Sequence, residues 1–150
     1  MTISSTAFRS NESIPSRYTC TEQDLSPDLI FEDVPATAKS LALIVEDPDA
    51  PAGMWVHWVV YNIPPTLDRI AQAVSRTERL ANGAIQGQGS NGRIGYAGPC
   101  PPSGTHRYYF RLYAVDAVLS LRPGATRDTL LSAMRNHIVA EAVLMGTYAK

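Results

Sequence analysis

Apolar and polar side chains alternate along residues 105–116, which follow a loop rich in glycine and proline. Alternation of this kind is typical of a half-buried β-strand. One face of the predicted strand carries His106, Tyr108, Phe110, Leu112 and Ala114. Residues 95–104 hold three glycines and three prolines, so we expect an irregular loop before the strand. His106 is therefore predicted to lie where a stiff loop enters a strand, on the apolar side.

Further strands are predicted from apolar segments in the first half of the chain. Residues 40–46 are apolar almost throughout, which favours a strand buried on both faces. Residues 55–63 predict another strand, which two prolines end. One face of that strand is expected to carry His57, Val59, Tyr61 and Ile63. Residues 3–9 and 29–32 predict shorter strands, the first of them at a sheet edge.

The end of the chain predicts one helix and a closing strand. Thr126 can cap a helix that carries Leu130, Leu131 and Met134 on its apolar face and ends near Asn136. Residues 138–148 begin with β-branched side chains and favour a strand over a longer helix. Residues 67–82 are weakly helical and predict a surface crossover with one helical turn. Together these elements indicate one mainly β domain over residues 1–150, an antiparallel β-sandwich with a peripheral C-terminal helix.

The segment Asp47-Pro-Asp-Ala-Pro51 follows the buried strand directly. Its two prolines fix the backbone around Asp47 and Asp49, and Ala50–Pro51 is a candidate cis bond. Taken alone, the segment is typical of a turn with solvated carboxylates, and His57 is typical of a hydrogen-bonded core histidine. Taken together with His106, these residues predict that one acidic loop and two imidazoles converge at one rim of the sandwich.

Composition and charge exclude several classes of protein. The net charge of -1 gives no electrostatic basis for binding nucleic acid, and no apolar run is long enough for a transmembrane segment. No secretory signal is visible at the N-terminus. Two cysteines, Cys20 and Cys100, are too few for a disulfide framework and predict a reducing, cytoplasmic location. Cys100 is interpreted either as a small buried side chain or as a reactive thiol near His106.

Three motifs in this order resemble the phosphatidylethanolamine-binding protein family. They are the acidic loop 47–51, Val-His-Trp-Val-Val-Tyr-Asn-Ile-Pro at 56–64, and Gly-Tyr-Ala-Gly-Pro-Cys-Pro-Pro-Ser-Gly-Thr-His-Arg-Tyr at 95–108. The likeness is greatest to the compact bacterial and archaeal branch, the Raf-kinase-inhibitor-like proteins of the YbhB/YbcL type, and it covers nearly the whole chain. It implies a β-sandwich with an anion-binding pocket at one end.

The resemblance also implies which residues form that pocket. The family's pocket positions fall on Asp47, Pro51, Trp55, His57, His106 and Tyr108, with Asp49 and Cys100 beside them. The implied ligand is a small anion, such as phosphate or a phospholipid head group. We expect no cofactor and no metal. The family further implies a homodimer.

The residue types agree with a ligand-binding protein that performs no chemistry. A phosphate needs donors such as imidazole N–H groups and a tyrosine hydroxyl, and Asp47 is expected to raise the pKa of both histidines. Two alternatives stay open. One acid and two histidines also match a metal facial triad or an Asp/His base for hydrolysis. The other is a protein-interaction module that uses Tyr109, Tyr113 and the arginines between them.

Overall fold

The computed structural model describes residues 1–150 and is organised around β3 (Ser40–Asp47), whose eight residues are all buried. One edge of β3 pairs with β4 (Trp55–Ile63) and the other with β7 (Thr105–Val115), both antiparallel. Two hydrogen-bonded neighbours and two covered faces explain why this segment is apolar almost throughout. The predicted strand buried on both faces is confirmed.

Two antiparallel sheets enclose the main core. The larger has the order β6 (Ile85–Gln86), β4, β3, β7 and β8 (Ile138–Ala149), and the smaller has the order β1 (Thr2–Ser4), β2 (Leu29–Glu32) and β5 (Arg69–Ile70). Buried side chains from both sheets form one cluster of 21 residues between them. The predicted mainly β, antiparallel sandwich is therefore confirmed. Residues 67–82 contain β5 and no helical turn, so that part of the prediction is wrong.

The outer face of the larger sheet is covered by α1 (Arg127–Met134), the peripheral helix that the sequence predicts. The Thr126 hydroxyl accepts a hydrogen bond from the Thr129 N–H at 3.3 Å, as a helix N-cap should. Leu130 and Met134 are buried against this sheet face. The helix ends two residues before Asn136, which has a left-handed φ of 68°. No helix in the chain combines the length and the apolar character needed to cross a membrane.

The pairing of β3 with β4 has two irregularities, and the one at His57 changes the faces predicted for β4. Val45 pairs with Trp58 and Glu46 with Val56, so His57 is an extra residue without a partner on β3. A bulge of this kind turns two successive side chains towards the same side. His57 and Trp58 therefore both face the core between the sheets, and the His57 ring lies 5.3 Å from the Tyr108 ring. The predicted grouping of His57 with Val59 and Tyr61 is wrong, since those two face the helix.

A buried carboxylate joins the larger sheet to the helix. Glu46, only 1% exposed, accepts hydrogen bonds from Arg111 Nε at 3.1 Å and Arg127 Nε at 2.8 Å. Each of its oxygens therefore has a charged donor, one from β7 and one from the first residue of α1. Both arginines are about one-third exposed, so solvent reaches their other nitrogens.

We predict that Glu46→Ala lowers the free energy of unfolding by about 2 kcal/mol, the usual range for losing hydrogen bonds to a charged group. The matched control is Asp128→Ala, which removes an exposed partner of the same Arg127 and should change stability little. Urea denaturation of the two variants measures the difference. Equal stability of Glu46→Ala and the parent protein would show that the buried carboxylate contributes nothing to docking the helix.

Candidate functional site

The loops after β3 and before β7 enclose a cavity of about 350 Å³ at one end of the sandwich. Most of its walls come from segments that the sequence singles out. Seven of the eight predicted site residues line it: Asp47, Pro51, Trp55, His57, Cys100, His106 and Tyr108. The Ala50–Pro51 bond is trans, since the chain contains no cis peptide bond.

Asp47 and His106 form a buried pair inside this cavity. Asp47 Oδ2 lies 2.7 Å from His106 Nδ1, and Asp47 Oδ1 accepts the Asp49 N–H at 2.7 Å. Their side chains are 4% and 9% exposed, so the carboxylate has exchanged water for two protein donors. Because Nδ1 donates to the carboxylate, the tautomer of His106 is fixed and Nε2 is the nitrogen left for a ligand.

His57 is held in the same way by a backbone carbonyl. Its Nδ1 donates to the Ala97 carbonyl at 2.6 Å, which leaves Nε2 without a protein partner. Burial lowers the pKa of His57 below 6.5, because the charged ring is poorly solvated, although Asp47 and Asp24 act in the opposite direction. Asp47 raises the pKa of His57 as expected, but desolvation exceeds the attraction of the carboxylate, so the charged form is not favoured in the free protein.

Tyr108 lies between the two imidazoles and has an unused hydroxyl. Its ring is 5.3 Å from that of His57 and 6.4 Å from that of His106. The residue is 1% exposed, and its hydroxyl has no hydrogen-bond partner in the protein. Burial and the neighbouring Asp47 raise the pKa of Tyr108 far above its ordinary value, so the hydroxyl keeps its proton. A buried donor without a partner is costly, and a bound acceptor would satisfy it.

Asp49 does not line the cavity. Its carboxylate accepts three hydrogen bonds from Arg107: from Nε at 2.9 Å, from Nη2 at 2.8 Å and from the backbone N–H at 2.9 Å. These hydrogen bonds lower the pKa of Asp49 to about 2. Asp49 therefore fastens the acidic loop to the start of β7, and it reaches the cavity only through the position of Asp47.

Asp24 and Gly98 also line the cavity, although neither was predicted as a site residue from the sequence. Asp24 Oδ1 accepts the Gly98 N–H at 2.7 Å. A Cβ atom at Gly98 would lie 2.4 Å from that oxygen and 2.4 Å from the Tyr18 carbonyl oxygen, so only glycine fits there. The left-handed φ of 58° at Asp24 sets this turn. No motif marks Asp24 in the sequence, whereas Gly98 stands inside the third motif.

Cys20 and Cys100 form a disulfide across one wall of the cavity, with an S–S distance of 2.10 Å and 80 residues between them along the chain. Both residues are exposed. The interpretations of Cys100 as a buried side chain or a free thiol are wrong, because sequence spacing gave no sign that the two segments meet. The cysteines therefore no longer support a reducing compartment.

The family model described as phosphatidylethanolamine-binding protein matches residues 4–149. The chain belongs to the phosphatidylethanolamine-binding protein family. It is 50% identical to a UPF0098 protein of Methanothermobacter thermautotrophicus, over 100% of this chain and 99% of the relative.

Two solved structures of similar proteins share this fold. A phosphatidylethanolamine-binding protein homologue of Chlamydia trachomatis superimposes with a TM-score of 0.92 at 47% identity, covering 99% of this chain and 97% of the other. E. coli YbcL, described as a member of the mammalian family, also gives 0.92, at 28% identity and 99% and 98% coverage. The fold and the family are thus shown by sequence and structure alike.

The cavity of this family member does not arrange its acidic and imidazole groups as a metal-ligand cluster. No set of three or more His, Cys, Asp or Glu side chains is placed to hold one ion. Both Asp47 oxygens already accept hydrogen bonds, and Nδ1 of each imidazole is committed to an oxygen. The three groups that match a facial triad in type therefore do not match it in geometry.

We predict that the stability of this family member falls as the pH is lowered through 6.5 towards the depressed pKa of His57. The unfolded chain binds a proton at His57 in that window and the folded chain does not, so the free energy of unfolding rises with pH. Urea denaturation at a series of pH values measures the slope. His57→Gln should flatten it and His137→Gln, at an exposed histidine, should not; an unchanged slope in His57→Gln would contradict the assignment.

Proposed function

We propose that this protein binds small ligands with a phosphate group in the cavity formed by Asp47, His57, His106 and Tyr108. The observation that carries the proposal is the buried, unpartnered hydroxyl of Tyr108 between two imidazoles. The family model that matches the chain supports a ligand-binding role of this kind.

The donors that a phosphate needs are available at this place. The Tyr108 hydroxyl stays protonated and can donate, and Nε2 of each histidine, which has no partner in the protein, becomes a donor when the ring takes up a second proton. A bound anion favours the charged imidazole, so His57 would take up a proton when the phosphate enters. Binding is therefore expected to strengthen as the pH falls below the pKa of His57 in the complex.

The carboxylates of the cavity favour a ligand that also carries a positive charge. Asp47 is fully used by His106 and the Asp49 N–H, but Asp24 Oδ2 has only Arg76 Nη2 at 3.8 Å. An ammonium group could approach Asp24 while the phosphate approaches the imidazoles. Phosphoethanolamine combines both charges, so we expect it to bind more tightly than inorganic phosphate.

Tyr108→Phe tests the proposal. We expect it to weaken phosphate binding about tenfold, as loss of a hydrogen bond to a charged group does. The free protein should lose no stability, because the hydroxyl removed has no partner. Isothermal titration with phosphate and phosphoethanolamine measures affinity, and urea denaturation measures stability.

The matched control is Tyr113→Phe, on the same strand but facing the helix side. It should leave both affinities unchanged. Absence of binding by the folded parent protein would refute the proposal. A Tyr108→Phe variant that binds both ligands normally would remove Tyr108 from the site.

The cytoplasmic location of the protein stays a prediction.

We also propose that the protein forms homodimers through the edge of β8. Strand β8 is the last of the larger sheet, and residues 11–14 bond to its outer edge only at Met145 and Thr147. Before those residues, Val139 and Val143 are 40% and 47% exposed. An exposed apolar edge of this kind favours pairing with another strand.

The interaction surface predicted around Tyr109 and Tyr113 is smaller than expected, because Tyr113 is buried.

Light scattering should give a dimer mass for the parent protein and a monomer mass for Val143→Lys, because lysine on an edge strand opposes pairing. Val118→Lys, at a more exposed valine outside β8, is the matched control and should remain a dimer. A parent protein that stays monomeric at high concentration would contradict the proposal.

A further inference from the structure

The Cys20–Cys100 disulfide lies in the wall of the proposed ligand cavity and is accessible from solvent. Both cysteines line the cavity, and both are exposed. Exposed disulfides are the ones that exchange readily with thiols, whereas structural disulfides are typically protected from reduction. A thiolate can therefore reach this bond without unfolding the sandwich.

Apart from the disulfide, the cavity wall beside it is held by the packing of Pro101, which is buried, while Pro102, Ser103 and Gly104 are exposed. Pro101 and Pro102 line the cavity together with Cys100. No backbone hydrogen bond involves any residue from Cys100 to Gly104, and no side chain bonds to the rest of that segment. Between Pro99 and β7, the disulfide is thus the one covalent link from this wall to the remainder of the protein, and the packing of Pro101 is the other contact that holds it.

The neighbouring segments would stay in place if the disulfide were reduced. The Cys20 N–H donates to the Pro99 carbonyl at 3.1 Å, and the Tyr96 hydroxyl donates to the Tyr18 carbonyl at 2.7 Å. The Gly98 N–H bond to Asp24 is a third link. Reduction would therefore leave residues 100–104 held only by the packing of Pro101, with the histidines and the sandwich intact.

A cation stands next to one of the two sulfurs. Lys150 Nζ lies 3.8 Å from Cys100 Sγ. A nearby ammonium stabilises a thiolate, and a more stable thiolate is the better leaving group in thiol–disulfide exchange. The geometry therefore favours attack on Cys20 with release of Cys100.

We propose that Cys20–Cys100 is a reversible redox site that accepts electrons from dithiol reductants and whose reduction weakens ligand binding in the cavity. A reductant thiolate attacks Cys20 Sγ, the bond between the two sulfurs breaks, and Cys100 leaves as a thiolate beside Lys150. The second reductant thiolate then attacks the mixed disulfide, releasing Cys20 and closing the reductant's own disulfide. Two electrons pass to the protein, and its two sulfurs take up the two protons that the reductant loses.

The effect on binding rests on the function proposed above. With the disulfide closed, the wall formed by Cys100, Pro101 and Pro102 is already in place when a ligand enters. Once the disulfide is open, the ligand must order this wall, and ordering mobile residues lowers affinity. We expect phosphate to bind about tenfold more weakly to the reduced protein.

The redox site is tested first, without any ligand. Dithiothreitol added to the native protein should free two thiols per chain, counted by alkylation and mass spectrometry, while the far-UV circular dichroism stays unchanged. NMR order parameters of Ser103 and Gly104 should fall on reduction, and that of Gly124, in a remote turn, should not. Failure to free the thiols unless the protein unfolds, or unchanged order parameters at Ser103 and Gly104, would overturn the redox site.

The leaving-group assignment has its own matched pair of variants. Lys150→Gln should slow reduction by dithiothreitol about threefold, and Lys39→Gln, which removes the only other lysine of the chain, should not. Equal rates for both variants would overturn the role of Lys150.

The coupling to binding is tested by phosphate titration of the oxidised protein, the reduced protein and the Cys20→Ser/Cys100→Ser variant. The variant should bind phosphate with the affinity of the reduced protein, and dithiothreitol should not change that affinity. Equal affinities of the oxidised and reduced proteins would overturn the coupling. If the oxidised protein binds no phosphate, the proposed function fails, and the redox site is judged by thiol release and order parameters alone.

Discussion

The hydrogen bond between Asp47 Oδ2 and His106 Nδ1 links the two strands that present the cavity. Strand β3 is buried on both faces and ends at Asp47, so the carboxylate emerges where water is scarce. A buried carboxylate needs donors, and His106 at the start of β7 supplies one while the Asp49 N–H supplies the other. The same bond that satisfies the acid fixes the histidine's tautomer, which directs its free nitrogen to a ligand.

The second imidazole reaches the cavity only because β4 carries an extra residue at His57. A regular strand would turn His57 and Trp58 to opposite sides, and the core between the sheets needs the indole of Trp58. The bulge lets both face inward, so the site gains His57 without loss of core packing. The tight contact of Gly98 with Asp24 closes a further part of the cavity wall. The cavity thus depends on local departures from regular structure.

These departures mark the limit of what the sequence could predict. The ends of β2 and β4 and the cap at Thr126 were predictable, because apolar periodicity, prolines and a capping hydroxyl act locally. The bulge at His57 was not, since one extra residue changes the face of a side chain without changing composition. Asp24 and the Cys20–Cys100 bond were missed because each joins segments more than 70 residues apart, and neither segment carries a signal for the other.

A histidine paired with a carboxylate, as His106 is with Asp47, is also what a general base requires. Whether such a cavity suits ligand binding or hydrolysis therefore depends on the other groups that line it. Catalysis by acyl or phosphoryl transfer to the protein needs a nucleophile beside the base. The lining includes no serine, threonine or lysine, and both cysteines are used in the disulfide. His106 Nε2 could act only on a water, whereas the Tyr108 hydroxyl can donate directly and His57 Nε2 can donate once its ring is protonated. These donors are the groups that the proposed binding of a phosphate would use, with His57 taking up its proton as the anion enters.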